Sequence, residues 1–253
     1  MSGNISLSSI IEIAEKAGEV LLKLQKDVRK LEKDRKDFLT DADLKSNNII
    51  TSMLKSLNPE IPIYSEENGE TLIGNGKIWV VDPLDGTVNF FHQDYLWGVS
   101  IALVENGKTV LGVVYLPALS QMFGTVKGGE IILKGNMLFG VRKEDKLSEA
   151  QIWTDWGKDS DEALSLLPEL KKISLYPQMR LCATASLMAV TAGKICAYIH
   201  PHPAPEDFAA GALIVEQAGG KVTDLQGKPW NVFSTSIVAS NKMLHKEILN
   251  GIK

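Results

Sequence analysis

The chain is poor in cysteine, has no excess of basic charge and no long apolar run, and each absence closes a class of function. Only two cysteines, Cys182 and Cys196, occur among 253 residues, and neither belongs to a CxxC pair. Two thiols cannot supply a disulfide framework or a four-thiolate zinc site. They read as buried thiols in a reducing compartment, with a regulatory disulfide as the alternative. His200 and His202 have no cysteine or third histidine at ligand spacing behind them, which argues against a zinc site there. Nowhere do roughly 18 consecutive apolar residues accumulate, so no membrane span is expected. The opening MSGNISLSSIIEIAEKAGEV carries acids and lacks a basic start before an apolar core, so no signal peptide is expected and a cytoplasmic location is. A formal charge of −4 lacks the basic surface that displaces counterions from nucleic acid, so no direct nucleic-acid binding is expected. No Ser-His-Asp or reactive-cysteine arrangement is visible.

What is present is an ordinary globular composition, 44% apolar and 23% charged, long enough for one large domain or two modest ones. Ile10, Ala14, Ala17, Leu21 and Leu24 follow helical steps. The mostly charged stretch from Lys26 to Asp37 reads as a solvated helix end running into a loop, with a mobile lid as the alternative. A second helix is expected from Asp43 to Leu57, ended by Asn58-Pro59. Strands are expected at Ile61 to Tyr64 and at Lys77 to Val81. Gly98 to Glu105 and Lys108 to Tyr115 flank Asn106-Gly107, a hairpin turn in which both central residues tolerate positive φ. Met122 to Val126 and Ile131 to Leu133 flank Gly128-Gly129 in the same way. Behind about Lys146 the pattern alternates: a strand near Ile152, helices at Asp161 to Lys172 and Ala183 to Ala192, a strand at Ile195 to Ile199, a helix at Asp207 to Ala218, a strand at Ser236 to Ala239 and a last helix from about Asn241. This predicts a mixed α and β chain of two firmly docked subdomains, residues 1–145 and 146–253, with layered sheets and helices.

The sharpest local feature is VVDPLDGTVNF, residues 80–90. Asp82 and Asp85 stand three apart across a proline at the end of an apolar strand. The turn can aim both carboxylates and the Leu84 carbonyl at one point, the oxygen-rich arrangement that hard cations such as Mg²⁺ take. Gly86-Thr87 opens a short helix whose free N–H groups suit a phosphate. Three other acidic motifs have bland readings when taken singly. Ser65-Glu66-Glu67-Asn68-Gly69 reads as a solvated turn, and Thr40-Asp41-Ala42-Asp43 as a helix N-cap. Pro205-Glu206-Asp207 reads as a helix start with acids favoured by the dipole.

Their order together, TDAD, EEN, DPLDGTVNF and EDFAAGALIVEQAGG, resembles the inositol monophosphatase superfamily of metal-dependent, lithium-sensitive phosphatases, which includes fructose-1,6-bisphosphatases. The motifs span residues 40 to 224, so the resemblance covers nearly the whole chain. It implies a layered αβαβα sandwich of the sugar-phosphatase fold. It also implies two or three Mg²⁺ per subunit, a small phosphorylated metabolite as substrate, and a homodimer. Carried over residue by residue, Glu66, Asp82 and the Leu84 carbonyl would hold one Mg²⁺, and Asp82, Asp85 and Asp207 a second. Thr87, supported by Asp43, would orient the attacking water with Glu66 beside it, and the Gly86 and Thr87 amides would grip the phosphate. Glu67 is left between assisting a third metal and capping a turn, and His92 reads as a packing or surface residue.

The departures fall on the substrate side. Glu206 stands where the family usually has Trp, Ala183 where it has Gly before Thr184, Met188 at a position that is often Asn, and His200 where inositol phosphatases carry a glutamate seven residues before the last metal aspartate. Inositol phosphate is therefore not expected to be the preferred substrate. A second substrate phosphate on Arg180 or His200 is one reading of the change, and a rigid His200-Pro201-His202-Pro203 loop is the other. The alternatives to a sugar phosphatase are a phosphatase of 3′-phosphoadenosine 5′-phosphate and a protein-binding accessory of transcription complexes with dispensable catalysis. Val88-Asn89-Phe90 after DPLDGT matches the sugar-phosphatase branch rather than the first alternative.

Overall fold

A computed structural model of the chain describes residues 5–27, 30–31, 39–67, 74–135, 139–143, 146–155, 160–175 and 177–252. Its elements are, in order, α1 Leu7–Leu24, β1 Lys30–Leu31, β2 Leu39–Thr40, α2 Asp41–Leu57, β3 Ile63–Ser65, β4 Lys77–Asp85, α3 Thr87–Phe91, β5 Gly98–Glu105, β6 Lys108–Leu116, β7 Gln121–Val126 and β8 Ile131–Lys134. There follow β9 Ile152–Thr154, α4 Ser160–Ile173, α5 Ala183–Thr191, β10 Ala197–His200, α6 Pro205–Gln217, β11 Lys221–Thr223, β12 Ile237–Ser240 and α7 His245–Gly251. Most of the charged stretch from Lys26 to Asp37 and the Asn68-Gly69 turn lie outside the described residues.

Five layers result. Strands β3 to β8 form a six-stranded sheet in sequence order, and β11-β12-β10-β9 a second sheet of four. Helices α1 and α2 cover one face of the large sheet, burying Ile10, Ala14, Ala17, Leu21, Ile50 and Leu54 against Trp79, Val81, Ile101 and Val113. Helices α5 and α6 fill the space between the sheets, with Leu187, Val190, Phe208 and Ile214 meeting Ile78, Val80, Val114, Tyr198 and Ala239. Helices α4 and α7 cover the outer face of the small sheet through Leu166, Leu170, Leu244 and Ile248. The order is helix, sheet, helix, sheet, helix, the αβαβα sandwich expected. Strands β4 and β5 are buried on both faces, which is why they carry continuous apolar runs instead of an alternating pattern.

Two close approaches fix where α6 lies. Gly112 on β6 faces the helix, and a Cβ there would meet the Ala210 carbonyl oxygen at 2.9 Å and its Cα at 3.0 Å. Only a glycine lets helix and sheet touch backbone to backbone at this point. The first turn of α6 is then held to β5, because Ser100 Oγ donates to the Glu206 carbonyl at 2.9 Å. Helix α6 begins at Pro205, two residues before the expected start, since a proline's fixed φ and missing N–H suit a first turn. No helix among the described residues is long and apolar enough to cross a membrane.

Candidate active site

Strand β4 does not end at Val81 as its apolar run suggests but continues through Pro83 to Asp85. Asp82 pairs with Ser100 and Asp85 with Gly98, so Pro83 and Leu84 on β4 stand opposite Val99 alone on β5. In a regular strand, side chains three apart point to opposite faces. The extra residue of this bulge reverses that, and both carboxylates emerge on the α6 side of the sheet. Pro83 is tolerated here because the ladder is already interrupted. Ile78 and Val80 face the same inner layer, so the register that packs α6 also aims Asp82 at it.

Carboxylate oxygens of Asp82, Asp85 and Asp207 all lie within 4.8 Å of one another. Each comes with its own support. Asp82 Oδ1 accepts the Leu84 N–H at 2.9 Å, and Asp207 shares a hydrogen bond with Asp82. Asp85 Oδ2 accepts the Thr184 N–H at 2.5 Å and the Thr184 hydroxyl at 2.6 Å, with the Cys182 thiol 3.2 Å away. Glu66 follows β3, its N–H on the Val81 carbonyl at 3.4 Å, close enough to act electrostatically on both Asp82 and Asp207.

Burial, first, and then the neighbouring carboxylates push Asp82 and Asp207 well above the usual carboxylate range. Burial also raises Asp85, against the opposing pull of the Thr184 hydroxyl and amide. Among the described residues no Lys, Arg or His forms an ion pair with any of the three. A buried group of acids with no basic partner, rich in hard oxygen donors, fits a divalent cation as its countercharge. The three carboxylates are the hard oxygen donors that suit Mg²⁺.

The TDAD segment performs two tasks at once. Thr40 is the N-cap of α2, and Asp43 Oδ2 returns to it, accepting the Thr40 N–H at 2.8 Å and its hydroxyl at 2.5 Å. Asp43 Oδ1 faces the site and lies 3.1 Å from the Thr87 hydroxyl, which is also 3.0 Å from the Leu84 carbonyl. Burial raises Asp43 to about 6. Gly86, between ligand strand and Thr87, has φ +82°, and a Cβ there would stand 2.8 Å from the Leu96 carbonyl, so no other residue fits this turn.

Of the residues expected to face a substrate, Ala183 and Thr184 open α5, and Ala183 adds its amide to the Asp85 carboxylate. The Arg180 guanidinium lies over the Trp153 ring at 5.1 Å and bonds Gln178, while its N–H is fixed by Asp155. His200 is 5% exposed, wedged against Tyr198 and Phe208. Its Nδ1 accepts the His202 N–H at 3.2 Å, and burial lowers it to about 4, so it stands neutral with its proton on Nε2. Met188 is buried within α5, His92 is exposed, Glu67 is half-buried, and both cysteines are buried, neither of them in a disulfide.

Supporting residues that local pattern did not reveal are Asp155 and Asn89. Asp155 Oδ1 accepts the N–H groups of Arg180 and Leu181 at 2.7 and 2.8 Å, and Oδ2 the Tyr198 hydroxyl at 3.1 Å. Asn89 Nδ2 donates to the carbonyls of Leu96 and Arg180, both at 2.8 Å. Together they hold the loop entering α5, including Leu181 at φ +54°.

The layered sandwich and the carboxylate cluster at the seam between its sheets define a phosphoester hydrolase, and comparison with known proteins gives the family. The chain belongs to the inositol monophosphatase family, whose family model matches residues 6–253. It is 31% identical to a fructose-1,6-bisphosphatase/inositol-1-monophosphatase of Thermotoga maritima, over 94% of this chain and 92% of that one. A putative Nus factor SuhB of Neisseria meningitidis serogroup B is 29% identical over 97% of each chain. The solved structure of a Thermotoga maritima IMPase superposes with a TM-score of 0.86 at 30% identity, covering 96% of this chain and 94% of that one. The protein is thus a phosphoric monoester hydrolase of a metal-dependent family.

Proposed function

We propose that this chain hydrolyses a small sugar or inositol phosphate in a Mg²⁺-dependent reaction. The observation that carries the reading is the meeting of Asp82, Asp85 and Asp207 within 4.8 Å at the seam, with the Asp43–Thr87 pair beside them. Glu66, Asp82 and the Leu84 carbonyl would hold one cation and Asp82, Asp85 and Asp207 a second. When bound, such cations make water a stronger nucleophile at neutral pH and offset charge on the phosphate and leaving oxygens. The residues of the chain do the rest. Asp43, anchored by Thr40, holds the Thr87 hydroxyl so that it orients the attacking water, taking a proton from that water as it passes its own to Asp43, with Glu66 beside it. Burial keeps Asp43 at about 6, close to working pH, where a carboxylate exchanges protons readily. The Gly86 and Thr87 amides, exposed by the tight turn, would receive phosphate oxygens. Asp85, locked by Thr184, presents one oxygen to the cations and the other to the substrate-side wall.

Substrate choice would lie with Arg180, Ala183, Thr184 and His200. A neutral His200 offers an Nε2–H donor and no charge, so of the two candidates for a second phosphate Arg180 is the cationic one. A cytoplasmic homodimer sensitive to lithium completes the reading. The second reading, a partner-binding role in a transcription complex, is favoured by the relative named as a putative Nus factor.

Phosphate release from inositol-1-phosphate, fructose-1,6-bisphosphate and 3′-phosphoadenosine 5′-phosphate, with and without Mg²⁺ and beside Asp82→Asn, tests both. Mg²⁺-dependent release abolished in the variant is expected, and the fastest substrate selects the branch. Equal release by Asp82→Asn refutes the metal assignment. No release from any substrate moves the partner-binding role to the front.

A further inference from the structure

Helix α5 starts without a cap of its own. The Cys182 side chain, at the N-cap position, takes no N–H of the first turn, and the amide and hydroxyl of Thr184 go instead to Asp85 Oδ2. Asp85 and the start of α5 therefore position one another, and whatever sets that start also sets the carboxylate. The chain comes to it from Gln178, whose carbonyl accepts the Thr154 N–H at 2.9 Å on the edge of the small sheet, through Met179, Arg180 and Leu181. Leu181 has φ +54°, a left-handed conformation that a leucine keeps only where its surroundings impose it.

Asp155, directly after β9, supplies that constraint. Its side chain is 3% exposed, and its Oδ1 accepts both N–H groups of the turn, from Arg180 at 2.7 Å and from Leu181 at 2.8 Å. Consecutive amides converging on one anionic oxygen around a left-handed residue form a nest, here filled by a side chain of the same molecule. Asn89 holds the loop only by its carbonyl side, at Arg180. Asp155 Oδ2 accepts the Tyr198 hydroxyl at 3.1 Å, and the Tyr198 ring lies stacked on Phe208, the residue after Asp207, with centroids 6.0 Å apart.

We propose that Asp155 is a positioning residue for the phosphatase reaction: by holding Leu181 in its left-handed turn it places the Thr184 donors, and through them the Asp85 carboxylate. Its second oxygen, by fixing the Tyr198 ring, steadies the first turn of α6 from which Asp207 projects. The inference rests on the reading of Asp82, Asp85 and Asp207 as the cation site. A merely structural acid, satisfying three buried donors, would cost stability when removed and nothing more. The positioning role requires in addition that lost function return once the turn no longer needs to be imposed. Glycine at position 181 meets that condition, since without a Cβ it takes the left-handed region freely.

The test compares wild type, Asp155→Ala and the double variant Asp155→Ala/Leu181→Gly, all as full-length protein. Mn²⁺ binding is measured by calorimetry on metal-stripped protein without substrate, and kcat and KM from Mg²⁺-dependent release of phosphate from the fastest of the three esters above. Asp155→Ala is expected to bind Mn²⁺ about tenfold more weakly and to lose about tenfold in kcat, the usual scale for a group one step behind the ligands. The double variant should recover most of both losses while its melting temperature stays below that of the wild type, because the Tyr198 hydroxyl and two N–H groups still lack their acceptor. A wild-type Kd and kcat in Asp155→Ala overturn the inference and leave the metal site standing. A loss that Leu181→Gly does not recover also overturns it, by showing Asp155 to be structural only. Wild-type protein that neither binds Mn²⁺ nor releases phosphate overturns the metal reading and the inference with it. Should Asp155→Ala not fold, Asp155→Asn keeps the volume and one acceptor oxygen; a weakening of about threefold, reversed by Leu181→Gly, is then expected, and the absence of either overturns the proposal.

Discussion

His245, at the start of α7, should make the fold acid-sensitive by an amount that can be worked out. The side chain is 1% exposed, with Nε2 2.9 Å from the Thr223 hydroxyl and Nδ1 2.7 Å from that of Ser240. Thr223 also reaches the Asp224 carbonyl at 2.8 Å, so its proton goes there and Nε2–H donates to it. Hydrogen bonding alone tolerates a charged ring, because Ser240 also has the Asn241 carbonyl at 2.9 Å to which it can turn its proton. Burial decides, reinforced by the Lys221 ammonium, and lowers the group from 6.5 to about 4. Since the folded state binds the proton less well than the unfolded chain, this contribution is complete above the unfolded value and is lost as pH falls toward about 4. Between about pH 7.5 and about pH 5 the linkage amounts to roughly 2 kcal/mol.

Urea unfolding of wild type and His245→Gln at those two pH values, both in chelator, reads it. The acid cluster titrates in both proteins and cancels in the difference, being far from α7. The variant should be less stable at the higher pH and lose about 2 kcal/mol less than the wild type on acidification. Parallel pH dependence in the two proteins would refute the argument that the ring is held neutral.

Two further outcomes follow from the seam. Thr184→Val removes one of the donors that fix the Asp85 carboxylate, and a bond to a charged group contributes about 1.5–3 kcal/mol. We expect kcat/KM to fall about tenfold to a hundredfold and Thr184→Ser to restore it; equal activity of the two variants would show that the hydroxyl does not set Asp85. Gly112→Ala places a methyl 2.9 Å from the Ala210 carbonyl, so α6 must shift or the sheet must strain. A loss of about 1–3 kcal/mol in urea unfolding is expected, together with weaker Mn²⁺ binding because Asp207 rides on the same helix; wild-type stability would mean that the helix yields freely there.

What the sequence disclosed and what it concealed divide by range of interaction. The Asn106-Gly107 turn was legible because it is local: the structure has Asn106 at φ 51° and Gly107 at φ 76°, between strands that begin and end within a residue of the expected ones. Asp82, Asp85 and Asp207, which meet at the seam, were legible as motifs in order. The β4 bulge was hidden, because Pro83 in an apolar run signals a strand end and only pairing with Ser100 and Gly98 shows the ladder resuming. Strand β11, three residues after a Gly-Gly, is too short to show a period. Asp155 and Asn89 were missed for a stronger reason. Each acts on a loop 25 or 91 residues away, through backbone groups of Arg180 and Leu181 that leave no mark in side-chain chemistry.

The bond between Asp85 and Thr184 joins positions 99 residues apart, and it has a consequence for a chain made from one end. Asp82 and Asp85 leave the ribosome early, attached to a sheet whose six strands are contiguous in sequence and need nothing later to pair. Thr184 follows Asp85 by 99 residues and Asp207 comes later still, so more than the same length of chain again must be synthesised before they arrive. At an elongation rate of about 5–20 residues per second that interval lasts on the order of ten seconds. Throughout it the inner face of the sheet, with Ile78, Val80 and Val114, waits without α5 and α6, beside two acids not yet in their final company. Burial of that face waits on α5 and α6, and the two early acids meet Thr184 and Asp207 only when those helices dock.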